Sequence, residues 1–270
     1  MQNDIVQDIA VSLSYVMQDL AGVEPLESPI PEVKKEDLII KNTMYKTPKL
    51  RKVHLELAEL DKLKILHSVF FPDPNYNLPI FGCDIVATEK SVTAAIVDIS
   101  PVRGFDNWDE IREVSNNFKF KEKRPLPLWG DEIFSPYCKF TRLSEDIDIA
   151  NFYCIVMNYL KIYLTEVEKC EMDMNWTNTM LRYDDQIYYC SQQRKNDKTR
   201  GILERLFDKE FAQRYIDTVL FDNPKLRNLL TGQHKYYYLL IDYKMLNLCV
   251  LQILEKMLRT NVDLCLVLLT

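Results

Sequence analysis

The sequence predicts an α+β fold, a single antiparallel sheet with helices packed on it. Two observations carry this reading. Between Leu38 and Ile99 five short β-type runs follow one another with short connections, the pattern of a meander. After Ser144 the apolar spacing turns helical and stays so to the end of the Phe211–Phe221 stretch. Strands grouped first and helices afterwards argue against an alternating βαβ fold.

Taken in order, Ile5, Ile9, Leu13, Val16 and Leu20 recur at helical spacing and define an opening amphipathic helix. A linker from Glu24 to Glu32, carrying Pro25, Pro29 and Pro31, cannot continue it. The strands are Leu38–Tyr45, Lys52–Ala58, Ile65–Phe71, Phe81–Ala87 and Val92–Ile99, with a further one around Ile133–Thr141. Ile149, Phe152, Val156, Leu160 and Tyr163 mark the first later helix. Met180, Asp184, Ile187 and Ser191 share a face of a second that begins near Trp176. Two more are expected at Ile202–Leu206 and Phe211–Phe221.

A chain of 270 residues with a net charge of −6 suits one large domain or two small ones and lacks the basic excess of a nucleic-acid binder. The 7 cysteines (Cys83, Cys138, Cys154, Cys170, Cys190, Cys249, Cys265) are odd in number and none stand at Cys-x-x-Cys spacing. That pattern signals reduced thiols rather than a disulfide framework or a metal site. The start, with Asp4 and Asp8, is no secretory leader. The apolar stretch Met245–Leu254 falls well short of the roughly 20 residues of a membrane span. A cytoplasmic, soluble protein without membrane or nucleic-acid partners is expected.

Side chains alternate across a strand, so His54 and Glu56 share one face, about 7 Å apart, opposite Val53, Leu55 and Leu57. The next strand presents His67 and the following one Asp84, each at a mid-strand position. If the three strands face the same way, an acid–imidazole cluster results. Taken singly, the histidines read as core residues and Glu56 as a solvated one. Asp84 in its apolar run must pair, hold a proton or do chemistry. Asp98 reads as structural, capping the turn at Ser100-Pro101.

These residues sit in longer stretches: Tyr45-Lys46-Thr47-Pro48, Arg51 to Leu57, Ile65 to Pro72, Leu78 to Ala87, Ile96 to Pro101, Ile133 to Cys138 and Gln192 to Arg200. In order and spacing they resemble the ferredoxin-dependent bilin reductases over residues 1–222, at the branch that makes phycocyanobilin. The resemblance implies a three-layer α/β/α sandwich that acts as a monomer. Its reaction is the four-electron reduction of biliverdin IX alpha to phycocyanobilin. Electrons come from reduced ferredoxin, an external [2Fe-2S] protein, with no bound cofactor and no metal. By the same resemblance Asp84 is the central proton donor near the pyrrole nitrogens. His67 shares its protons and bonds the terminal lactam, and Glu56 protonates the exocyclic vinyl group with His54 beside it. Asn196 and Asp197 face the bilin from the helical side, Arg124 and Lys198 hold its propionates, and Trp129 and Phe221 line the pocket.

The chemistry is coherent with that set. One-electron delivery leaves the protein to supply protons in order, and a carboxylic acid with a raised pKa beside an imidazole can do so near neutrality. Only 6 glycines are present and no Gly-rich phosphate loop appears, which disfavours a nicotinamide or flavin enzyme. Three basic runs are candidates for docking an acidic ferredoxin: Lys46–Lys52, Lys119–Arg124 and Arg194–Arg200. Rival readings are a sister reductase making phycoerythrobilin or phytochromobilin, and a bilin carrier without turnover. Residues 223–270, with His234 and Tyr236–Tyr238, match nothing and read as an extension of unknown role.

Overall fold

A nine-stranded antiparallel sheet forms the middle layer of the computed structural model, which describes residues 4–225. Its strands are β1 (Glu24–Pro25), β2 (Glu32–Lys35), β3 (Leu38–Lys46), β4 (Leu50–Leu60), β5 (Leu63–Pro72), β6 (Ile80–Thr88), β7 (Val92–Ser100), β8 (Glu122–Lys123) and β9 (Lys139–Leu143). The spatial order is β1-β3-β4-β5-β6-β7-β9-β8, with β2 also pairing β3. The central five strands are the expected meander, each slightly longer than its apolar run. Between β4 and β5 the chain turns in two residues, Asp61 and Lys62, with Asp61 in the left-handed region at φ 49°. Aspartate tolerates that conformation, and such a tight turn sets the register of the hairpin.

One face of the sheet is covered by helices α1 (Ile5–Gln18), α2 (Asp109–Asn117) and α4 (Asp146–Lys169). Asp4 caps α1 by accepting from the Gln7 N–H, and the helix buries Ile5, Ile9, Leu13 and Met17. Tyr163 of α4 packs on Phe70 and Phe81, whose centroids lie 5.3 Å apart. Sequence periodicity gives no sign of α2, because only Ile111 and Val114 are apolar in its nine residues.

The other face carries α3 (Leu128–Asp131), α5 (Trp176–Gln193), α6 (Asp197–Leu206), α7 (Lys209–Tyr215) and a π turn, Ile216–Leu220. Helix α5 buries a polar face of Thr179, Arg182, Gln186, Gln192 and Gln193 around Tyr189 and Cys190. Its burial is possible because the groups find partners. Arg182 donates to Pro74 O, and Gln186 donates to Pro72 O while accepting from Arg51. Met180, Asp184, Ile187 and Ser191 are less buried than this face, so the helix is turned away from its apparent stripe.

The strand expected at Ile133–Thr141 is corrected to Lys139–Leu143. Ile133–Cys138 instead forms turns, because Pro136 donates no hydrogen bond and Asp98 draws Ser135 out of line. Asp98 does more than cap its own turn. It accepts from Ser100 Oγ at 2.6 Å, and also from the Ser135 N–H and hydroxyl at 3.0 and 2.6 Å. Apart from 223–225, the expected extension lies outside the described residues, His234 and Tyr236–Tyr238 included.

Candidate active site

The site follows from register. Asn42 stands opposite Glu56, Glu56 opposite His67, His67 opposite Asp84, and Asp84 opposite Ile96. Directly opposed residues share a face, so a row of polar groups crosses four strands. His54 lies one step along β4 on the same side. The three mid-strand groups anticipated from the sequence are therefore brought together, under the helices α5 to α7.

Glu56 is the buried acid of the set. It is 8% exposed, and its pKa is raised by burial, against the opposing pull of His67 and of a hydrogen bond from Tyr215. Two residues not singled out from the sequence, Asn42 and Tyr215, complete a chain through it. His54 Nε2 donates to Asn42 Oδ1 at 2.8 Å, and Asn42 Nδ2 donates to Tyr215 Oη at 2.8 Å. Tyr215 in turn donates to Glu56 Oε2 at 2.6 Å. Burial, followed by the charges of Lys52 and His67, holds the His54 pKa well below the ordinary imidazole value, so this ring is neutral. All donation runs towards Glu56 Oε2, which leaves Oε1 as the oxygen able to carry and release a proton.

His67 and Asp84 form the second half. Nδ1 of His67 donates to Asp84 Oδ1 at 2.5 Å. Burial opposes charge on the imidazole, but the charge and hydrogen bond of Asp84 outweigh it and raise the pKa. The sequence suggested a buried Asp84; its side chain is in fact 41% exposed and is paired with His67. His67 Nε2 and His54 Nδ1 are buried with no hydrogen-bond partner in the protein. Asp98, buried and with its pKa raised to about 6 by desolvation, lies beside them. A cavity of about 10 Å³ remains between His67, Gly82, Asp84, Asp98, Phe134 and Tyr189.

Residues 10–222 match the model of the ferredoxin-dependent bilin reductase family. The chain belongs to this family. A phycocyanobilin:ferredoxin oxidoreductase of Synechococcus sp. (strain CC9605) is 40% identical over 233 residues, 83% of this chain and 94% of its own length. One from Trichodesmium erythraeum (strain IMS101) is 38% identical over 234 residues, 83% of this chain and 95% of its own. Tomato phytochromobilin synthase, solved in complex with biliverdin, superposes with a TM-score of 0.69 at 19% identity. It covers 86% of this chain and 87% of its own, which shows the shared sandwich fold.

In this bilin reductase the remaining expected site residues are scattered. Phe221 joins the cluster, its ring edge-on to His67 at 5.5 Å. Trp129 packs on Phe134, 6.0 Å between ring centroids, and Phe134 lines the cavity. Arg124 lies towards the sheet edge, donating to Thr93 O and stacking on Phe140, which continues the polar row beyond Ile96. Asn196, Asp197 and Lys198 are not brought to the cluster. Asn196 caps α6 by accepting from the Lys198 N–H, and Asp197 and Lys198 are exposed on a surface cleft beside Gly201 and Asp208. Half of the first basic run is internal. Lys46 pairs with Glu24, Lys49 donates to Val167 O and Glu168 O at the end of α4, and Arg51 and Lys52 point inward to Asp222.

Among the described residues no group of three His, Cys, Asp or Glu side chains is placed to hold a metal. No described helix is long and apolar enough to cross a membrane.

Proposed function

We propose that the chain reduces biliverdin IX alpha to phycocyanobilin, taking four electrons singly from ferredoxin and adding a proton for each. The observation that carries this reading is the cross-strand row Glu56–His67–Asp84, two acids flanking an imidazole on the face beneath the C-terminal helices. The bilin lies on this face, and His67 Nε2 donates to its terminal lactam oxygen. Asp84, near the pyrrole nitrogens, passes protons with His67. Glu56, whose burial favours the protonated form, delivers from Oε1 to the exocyclic vinyl group and is reprotonated by the imidazolium of His67, which stands opposite it on the next strand. Electrons arrive from outside, and the chain holds no flavin or metal of its own. The names of the relatives support this choice of substrate, donor and product.

The test is anaerobic turnover of biliverdin with reduced ferredoxin, with products resolved by chromatography and absorbance. Phycocyanobilin as end product bears the proposal out. A different reduced bilin overturns the product assignment, and tight binding without reduction overturns the catalytic one.

A further inference from the structure

Lys52 is the residue on β4 that precedes His54 on the same face, and it is only 2% exposed. No proton step above uses it. Its ammonium donates to Val219 O at 2.9 Å, to Leu220 O at 3.0 Å and to the carboxylate of Asp222. Arg51 grips the same residue, Nη1 to Asp222 Oδ2 at 2.9 Å and Nη2 to Asp222 O at 3.0 Å. From the opposite side Arg194 donates to Phe221 O. Residues 219–222 are thus held by three cations: Lys52 on Val219 O, Leu220 O and the Asp222 carboxylate, Arg51 on Asp222 and Arg194 on Phe221 O. Lys52 and Arg51 tolerate no loss of their one carboxylate partner, because an uncompensated buried charge is costly.

What this arrangement holds is the ring of Phe221. It meets His67 edge-on at an interplanar angle of 77°. Asp84 fixes one nitrogen of that imidazole, but a single hydrogen bond still leaves the ring free to rock about it. The phenyl group, together with the His54 ring that also meets the imidazole edge-on at 5.6 Å, removes that freedom, and with these in place Nε2 has one direction.

We propose that Asp222 is a positioning residue for the relay: seized by Lys52 and Arg51, it seats Phe221 against His67 and so aims the unpartnered Nε2 at the substrate. The final clause rests on the reading of function given above; the seating itself does not.

The full chain has 3 histidines, so ring signals are readily assigned by nuclear magnetic resonance. In the protein without substrate, Asp222→Asn is expected to abolish the Phe221–His67 ring cross-peak. In turnover, Asp222→Asn and Phe221→Leu should slow the approach to product alike, and the double variant should be no worse than either. A cross-peak that survives Asp222→Asn overturns the proposal, as do turnover losses that multiply in the double variant. Should Asp222→Asn fail to fold, Asp222→Glu, which keeps the charge but displaces it by one methylene, is read by the same cross-peak. Should the wild type yield no reduced bilin, the assigned function falls, while the cross-peak still decides the seating.

Discussion

Glu56 and Asp84 are both carboxylates beside one imidazole, yet they differ in exposure and therefore in task. Glu56, buried, holds its proton to higher pH, whereas Asp84 stays partly solvated and is tied to His67. We expect Asp84→Asn to bind biliverdin and stall at a radical, seen by electron paramagnetic resonance. Glu56→Gln should stop after partial reduction, seen as an intermediate bilin on chromatography. Tyr215→Phe removes the donor to Glu56 Oε2 and should cost about 1–2 kcal/mol in urea unfolding. The same change should shift the infrared carbonyl band of protonated Glu56. The raised His67 pKa gives a sign for stability. A group with a folded pKa above its unfolded 6.5 contributes fully below that value and loses the contribution as pH climbs through the folded one. The stability advantage of the wild type over Asp84→Asn should therefore shrink as pH rises above about 6.5, measured by unfolding at a series of pH values. The row itself was legible, because strand alternation and resemblance point at the same side chains. Asn42 could have been found by pairing Leu38–Tyr45 with the next strand, but Tyr215 could not. Its approach to Glu56 depends on how α7 lies over the sheet, and no local pattern carries that.

At the level of elements, the strands were read well and the helices less so. Alternation on β3 to β7 is strong because one side packs on α1 and α4. Helix α5 conceals its inner face by burying glutamines and an arginine that are satisfied by strand ends, so hydropathy points away from it. The Ile133–Cys138 segment looked strand-like for its apolar content, and the long-range bonds from Ser135 to Asp98 that bend it leave no mark nearby. Those bonds also make a prediction for the segment carrying Phe134. The Asp98 pKa, raised to about 6 from 3.8, contributes stability that is lost as pH rises through that interval. Asp98→Asn lacks this titration, so the stability of the wild type relative to this variant should fall by on the order of 3 kcal/mol over that range, read from urea midpoints.

Over the whole molecule, the sheet and its C-terminal helices close on a cavity of about 10 Å³, whereas ligand pockets run to hundreds of Å³. If biliverdin binds this face as proposed, it must lift α5 to α7 from the strands as it enters. Hydrogen exchange should change on binding in Trp176–Gln193 and Ile216–Leu220 and hardly at all in α1 and α4; an unchanged profile in α5 would show that the bilin goes elsewhere. The sequence foretold the sandwich but not this closeness, which depends on side chains meeting across layers. The cross-strand row has a further bearing on how such a chain can vary through descent. A residue inserted within β4, β5 or β6 between its turn and its polar group would reverse the face of that group while leaving the sheet intact. Lengthening the connection at 73–79 or the turn at 89–91 would leave all three in place. Gaps among relatives should therefore collect at those bends, with the strand segments between them kept at constant length.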